Sequence, residues 1–294
     1  MQIEQNKIVH SAREISVSCL MVALALPERL AFAKKSIDNF CRQTLANKVL
    51  VLVLNGGVES VHRAIRDYVE SLGRDDIQIF TAPHGLNLGQ LRNFSLEVAT
   101  GDILCQWDDD DLYHPERLER QLSLLLEGDF EAVYLQEVMQ YFPAANSLYW
   151  TNWRGTDVAG HPATLMVRRE AAIKYPTQGG TVCLGDDSEV VRALIAKGTF
   201  FMDELTGEDT VVARALIARG RVGYLAGMPH LFIYVSHGAN SWPDGHHRML
   251  ADKLAISQAL LRRREVQIRE GMAAHGLSKD TLSVVGNNGP AFTL

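Results

Sequence analysis

Cysteine is scarce in this 294-residue chain: Cys19, Cys41, Cys105 and Cys183 form no CxxC pair and no Cys/His cluster at zinc spacing. Neither a disulfide framework nor a structural zinc is expected, and a reducing, cytoplasmic setting is the default. Long apolar runs are also missing. The longest, Ile15 to Leu26, is broken by Ser16 and Ser18, is too short for a membrane span, and follows acidic and polar residues unlike those of a signal peptide. It reads as a buried strand. No G-x-G-x-x-G follows it and no G-x-x-x-x-G-K-[ST] occurs, which removes the main support for dinucleotide oxidoreductases and P-loop enzymes. Positive charge is not in excess. The 29 Lys and Arg against 35 Asp and Glu leave a net charge of -6, which argues against a protein that coats nucleic acid.

What is present is a globular composition, 47% hydrophobic and 22% charged, with apolar β-rich runs alternating with helical periodicity. Ile15 to Leu24, Val49 to Leu54, Ile77 to Ala82 and Asp102 to Trp107 read as strands. Helices follow them, opened by Pro27-Glu28, by the residues after Asn55-Gly56-Gly57, by the loop Pro83 to Gly89, and by Pro115 at a first helical position. That alternation predicts an α/β fold with a mostly parallel sheet covered on both faces. Beyond about residue 130 the pattern is mixed, with a hairpin expected from Ala132 to Trp150 around Pro143-Ala144-Ala145-Asn146. Gly185-Asp186-Asp187-Ser188 and Gly207-Glu208-Asp209-Thr210 open two similar helical segments, each closed by a glycine. His246 to about His275 reads as one long amphipathic helix carrying Arg262, Arg263 and Arg264. His246 and His247 are expected on its exposed first turn, and the tail from Ser278 to Leu294 offers no functional signal.

Four consecutive aspartates, Asp108 to Asp111, end the fourth strand, where open α/β sheets bind ligands. Their mutual repulsion calls for a cation, and carboxylate oxygens suit Mg²⁺ or Mn²⁺ with phosphate oxygens at the open positions. A solvated acidic turn capping the next helix is the plain alternative. A calcium loop fits poorly, because Leu112 stands at the third oxygen position.

Asn87-Leu88-Gly89, Arg92-Asn93, Ala99-Thr100-Gly101-Asp102-Ile103, the aspartate run and Pro115-Glu116-Arg117-Leu118 together resemble the donor-site signature of family 2 glycosyltransferases with the GT-A fold. Val17 to Leu24 with Pro27-Glu28-Arg29-Leu30, Ser36-Ile37 and Gln43-Thr44 resembles that family's opening strand and helix. The resemblance reaches about residue 243. It implies a GT-A domain over 1–245, with a nucleotide-binding half over about 15–130 and an acceptor half over about 131–245, followed by a C-terminal helix and tail over 246–294.

The implied activity is metal-dependent, inverting transfer of a sugar from a nucleoside diphosphate donor, UDP first among the bases, to a glycan, lipid-linked or protein acceptor. Asp110 is the expected direct ligand of Mn²⁺ or Mg²⁺, with Asp108 beside it, His237 of His-Gly-Ala-Asn completing the site, and Asp109 serving the ribose or the metal's water shell. Asp111 would touch the sugar or cap the next helix. Arg92 and Asn55 would hold the nucleotide, although Asn55 stands where many relatives have an acid. The base that deprotonates the acceptor belongs to an acidic pair at a helix start. Asp209, with Glu208 before it, is favoured over Asp187 by the elements that follow, Pro229 to Tyr234 and then His237 to Asn240. Trp150, Trp153 and Trp242 offer faces for a sugar ring. Sugar-phosphate nucleotidyl transfer, or nucleotide-sugar binding without turnover, would use the same aspartates. The C-terminal helix offers a surface for peripheral contact with the inner membrane face or for a homodimer.

Overall fold

The computed structural model describes residues 15–177, 207–238, 240, 242–277 and 281–294. Asp187 and the first of the two similar acidic segments lie outside the described residues. Two sheets share the chain. In the first half, β1 (Val17–Leu24), β2 (Lys48–Asn55), β3 (Ile77–Thr81) and β4 (Ile103–Gln106) alternate with α1 (Leu30–Cys41), α2 (Glu59–Ser71) and α3 (Leu88–Val98). A single 3-10 turn, Pro27–Arg29, precedes α1, so the helix starts later than Pro27 suggests.

These strands pair in parallel, in the order β4-β1-β2-β3. The sheet continues through β9 (Met166–Arg168), antiparallel to both neighbours, to β6 (Ala132–Leu135) and β10 (Val222–Leu225), giving seven strands among the described residues. Alternate side chains of β1 face opposite ways. Cys19 and Met21 join Ile37, Phe40, Ile65 and Leu122 in one core, while Leu20 joins Leu91, Leu165 and Leu216 in the other. Thus α1, α2 and α4 (Arg117–Glu127) cover one face, and α3 and α5 (Glu208–Ala218) the other. That is the expected mostly parallel, doubly covered sheet, and it brings the ends of β1, β2 and β4 to one edge.

The second sheet runs β13-β12-β8-β7-β11-β5, six strands among the described residues. Its members are β5 (Leu112–Tyr113), β7 (Glu137–Phe142), β8 (Ser147–Asn152), β11 (Phe232–Val235), β12 (Ser283–Gly286) and β13 (Gly289–Thr293). The expected hairpin is β7 and β8, turned by Pro143–Ala145 and a left-handed Asn146. Its forepart, β6, belongs to the first sheet instead, because the chain changes sheets at Gln136. The helix after the acidic run begins at Arg117 rather than Pro115, since Leu112–Tyr113 are first drawn into β5.

One further expectation is corrected at the C-terminus. The single helix over 246–275 is three: α6 (Asp244–Leu254), α7 (Gln258–Arg263) and α8 (Glu265–Ala273). Ala255 bridges Thr151, Ile256 N–H bonds the Trp150 carbonyl, and Ser257 caps α7, so the backbone between α6 and α7 is committed to β8 and a cap. Beyond these helices the chain forms β12 and β13, and β12 adds to β8 in parallel. Leu261, Ile268, Met272 and Val284 then share a core with Met139, Trp150 and Ile233. Among the described residues no helix is long and apolar enough to cross a membrane.

The turn between α8 and β12 packs back on the start of β11. Gly271 lets α8 approach His230 closely, since a Cβ there would lie 2.5 Å from the His230 Cβ. His275 Nε2 donates to the His230 carbonyl at 2.7 Å, and the His114 ring lies 5.0 Å from His230 and 5.8 Å from His275.

Candidate active site

The acidic run spans the gap between the sheets, leaving β4 at Gln106 and entering β5 at Leu112. Each aspartate has a different fate. Asp108 keeps its backbone carbonyl under the Ser36 and Tyr113 hydroxyls, both at 2.9 Å, and its carboxylate accepts from Gln106 Nε2 at 3.1 Å and Arg92 at 3.2 Å. Asp109 is buried and held by Arg29. Burial and the neighbouring Asp110 push its pKa up to about 7 against the pull of Arg29. Asp110 Oδ2 receives Arg29 at 2.9 Å and His237 Nε2 at 3.0 Å. Burial would raise its pKa, but these two donors hold it below the usual carboxylate range.

Asp111 departs from its expected role. It is 1% exposed, and its Oδ1 accepts the Val235 N–H at 2.9 Å while burial, Asp110 and Asp108 push its pKa up. It caps no helix; it fastens β11 to the acidic run. Five residues after Val235, Asn240 Nδ2 donates to the Val235 carbonyl and its Oδ1 accepts from His237 N–H, both at 2.9 Å. Asp111 and Asn240 thereby fix the strand end that presents His237, whose ring stacks on Phe32 with centroids 4.5 Å apart.

Arg92 projects from α3, whose start is fixed by an Asn87/Gln90 capping box. Its Nη1 meets Asp108 at 3.2 Å and its Nε meets Glu208 Oε1 at 2.8 Å. One guanidinium therefore joins the acidic run to the acidic pair at the start of α5, 116 residues away in sequence. Burial opposes its charge, yet Asp108 and Glu208 keep it firmly protonated. Beside it Asn93 exchanges two hydrogen bonds with the Tyr175 backbone, and Tyr175 OH bonds Gln106 Oε1 at 3.3 Å. Asp209 follows Glu208. Its pKa is pushed up to about 7 by burial and by Glu208, with Arg92 opposing. Gly207 makes room for it: a Cβ there would lie 2.7 Å from Asp209 Oδ1 and 3.9 Å from Trp242 Nε1.

Asn55 closes β2 opposite Leu24, on the same sheet edge. Of the tryptophans, Trp150 is buried in the core of the second sheet and Trp153 packs on His161, whereas Trp242 stacks on His246 near Gly207. His247 is 4% exposed rather than a surface residue, with Nε2 3.5 Å from Tyr234 OH and a pKa lowered to about 4 by burial.

The residues that sequence reasoning passed over are Arg29, Tyr175 and Gln106. Arg29 was visible only as part of Pro-Glu-Arg-Leu; Tyr175 and Gln106 carry no motif.

A cation would find two donors here. Asp110 Oδ2 and His237 Nε2 are 3.0 Å apart, and adjacent ligands of an octahedral ion with bonds of about 2.1 Å stand about 3 Å apart. No group of three or more His, Cys, Asp or Glu side chains suited to a metal occurs among the described residues. Such a pair fits a hard ion that takes its remaining ligands from phosphate and water.

The family described as Glycosyl transferase family 2 matches residues 28–183, more than half of the chain. The O-antigen biosynthesis glycosyltransferase WbnJ of Escherichia coli is 29% identical over 118 residues, 39% of this chain and 44% of that protein. The amylovoran biosynthesis glycosyltransferase AmsE of Erwinia amylovora is 27% identical over 106 residues, 36% and 39% of the two chains. The matches thus span less than half the length of these relatives. Among solved structures, mannosyltransferase PcManGT from Pyrobaculum calidifontis, in complex with GDP-Man and Mn²⁺, superposes with a TM-score of 0.54 at 15% identity, covering 87% of this chain and 64% of that one. S. aureus TarS 1-349 in complex with UDP-GlcNAc gives 0.52 at 13% identity, covering 77% and 60%.

Proposed function

This chain belongs to glycosyl transferase family 2 and has the GT-A fold, and we propose that it transfers a sugar from a nucleoside diphosphate donor to an acceptor hydroxyl in glycan synthesis, with inversion at the anomeric carbon. The Arg92 bridge carries this reading. It ties Asp108 at the donor edge to Glu208, and this supports Asp209, the next residue, as the group that works beside the transferred sugar.

In this scheme Asp209 takes the proton of the acceptor hydroxyl as its oxygen bonds to the anomeric carbon; the bond to the diphosphate breaks and the electron pair leaves with the diphosphate. A carboxylate with a pKa of about 7 is well matched to that transfer. Glu208 holds Arg92, and Arg92 holds Asp108. Asp110 and His237 would hold Mn²⁺ or Mg²⁺, which when bound stabilises negative charge on the leaving diphosphate. Asn55, Asp108 and Asp109 are assigned to the nucleoside, and Trp242, near Gly207, to the acceptor. The names of WbnJ and AmsE favour a polysaccharide acceptor; PcManGT with GDP-Man and Mn²⁺, and TarS with UDP-GlcNAc, support a metal-assisted nucleotide sugar.

The test is thermal unfolding with UDP, GDP, CDP or TDP, each with and without Mn²⁺. A ligand at a hundred times its Kd stabilises by about 2.7 kcal/mol, a rise of several degrees. One nucleotide should raise Tm only with the metal, and Asp110→Asn should remove the rise. No rise with any nucleotide would remove the donor-site reading.

A further inference from the structure

We propose that Arg29 is a resident counter-cation that keeps a divalent ion off Asp110 until a nucleoside diphosphate arrives. The inference rests on the metal-assisted reading above and adds a gating residue to it. Arg29 ends the 3-10 turn between β1 and α1, at the sheet edge where β2 and β4 also end. One of its nitrogens joins Asp109 Oδ1 to Asp110 Oδ2, and that same Oδ2 is the atom His237 meets at 3.0 Å. The oxygen best placed for a metal therefore already carries a full positive charge at 2.9 Å. The Arg29 and Asp110 side chains are 15% and 14% exposed, so bulk salt screens the pair weakly.

With Arg29 in place, the charge on Asp110 is already offset by a guanidinium in contact with it. A divalent ion added there overcompensates it and is repelled by the guanidinium at contact range. A diphosphate changes the balance, because its oxygens offer Arg29 the planar, paired acceptors that a guanidinium matches best. Arg29 then turns from Asp110 to phosphate, the ion takes Asp110, and metal and nucleotide bind with positive coupling.

Binding of Mn²⁺, followed by the electron paramagnetic resonance of the free ion, tests this without turnover. Full-length wild type, Arg29→Gln, Arg29→Lys and Asp110→Asn are titrated alone and with saturating UDP or GDP. Wild type should bind Mn²⁺ weakly alone and at least tenfold more tightly with the nucleotide. Arg29→Gln should bind Mn²⁺ alone roughly tenfold more tightly than wild type, within the usual range of site coupling, and lose most of the nucleotide dependence. Arg29→Lys, which keeps the charge, should stay near wild type, and its melting curve serves as the folding control. Nucleotide-dependent Mn²⁺ binding that Asp110→Asn abolishes but Arg29→Gln leaves within twofold would overturn the gate alone. Arg29→Lys behaving as Arg29→Gln would overturn it as well, since charge would then not be the cause. No Mn²⁺ binding in any variant, with either nucleotide, would overturn the gate together with the metal reading.

Discussion

The short ladder between β5 and β11 has carboxylates at one end and imidazoles at the other. Tyr113 faces Phe232 and Leu112 faces Ile233, so Asp111 meets Val235 where the strands lead to His237, while His114 N–H bonds the Leu231 carbonyl where His230 and His275 gather. At the acidic end Arg29, Arg92 and His237 each contact an aspartate, so the carboxylates there are paired with donors. The imidazole end is built to stay neutral. His275 is lowered to about 3 and His230 to about 4, mainly by burial, and the Nδ1 atoms of both are buried without a hydrogen-bond partner. Glu116 would favour protonation of His230 and His114, but its carboxylate is taken up by Arg120. The same two strands thus carry a cluster of ion pairs at one end and a seam of neutral imidazoles at the other.

Perturbing the acidic end should abolish chemistry, and perturbing the seam should alter only stability. The largest effect is expected from Asp209→Asn, a loss of about 10²- to 10⁴-fold in transfer rate with nucleotide binding retained. In wild type the rate should climb as pH rises through about 7, because the base must lose its proton, and the climb should vanish in the residual activity of the variant. A pH-independent wild-type rate across that window would remove Asp209 as base.

Arg92→Ala comes next. It strands Glu208 and Asp108 without their shared cation, and urea unfolding should show a loss of about 3–5 kcal/mol, the usual cost of breaking a buried ion pair from one side. A loss below 1 kcal/mol would mean the bridge does not join the two acidic segments in solution.

At the seam the sign is opposite to that of a salt-bridged histidine. The unfolded imidazoles gain protons below about pH 6.5 while the folded ones stay neutral down to about 4 and 3, so stability falls as pH drops through that window. Each histidine should cost up to about 1.4 kcal/mol per pH unit. His275→Leu should flatten the decline of Tm between pH 7 and pH 5; an unchanged decline would show that the cluster opens to water. The smallest effect belongs to the surface of α8. Glu265→Ala, which removes the exposed pair with Arg269, should shift stability by about 0.5 kcal/mol or less.

Much of the first sheet was legible because β-rich runs and helical spacing are local signals. The acidic run, Arg92, His237 and the Glu208-Asp209 pair were legible because each lies in a short motif. What escaped depends on pairing across long separations. Gln136 changes sheets because β6 is claimed by β9 and β10 and β7 by β8 and β11, and no residue near 136 announces it. The helix expected over 246–275 is interrupted because Thr151 and Trp150, a hundred residues earlier, claim Ala255 and Ile256. Asp111 looked like its three neighbours, yet the Val235 amide withdrew it from solvent. His247 looked like a polar helix start until Tyr234 came to lie over it.

The acidic run is also a strap. Five residues, 107–111, carry the chain from the last parallel strand of one sheet into the edge strand of the other, and Asp111 rivets that edge to β11. A ligand held among the aspartates would therefore bear on both sheets at once, because these residues join them.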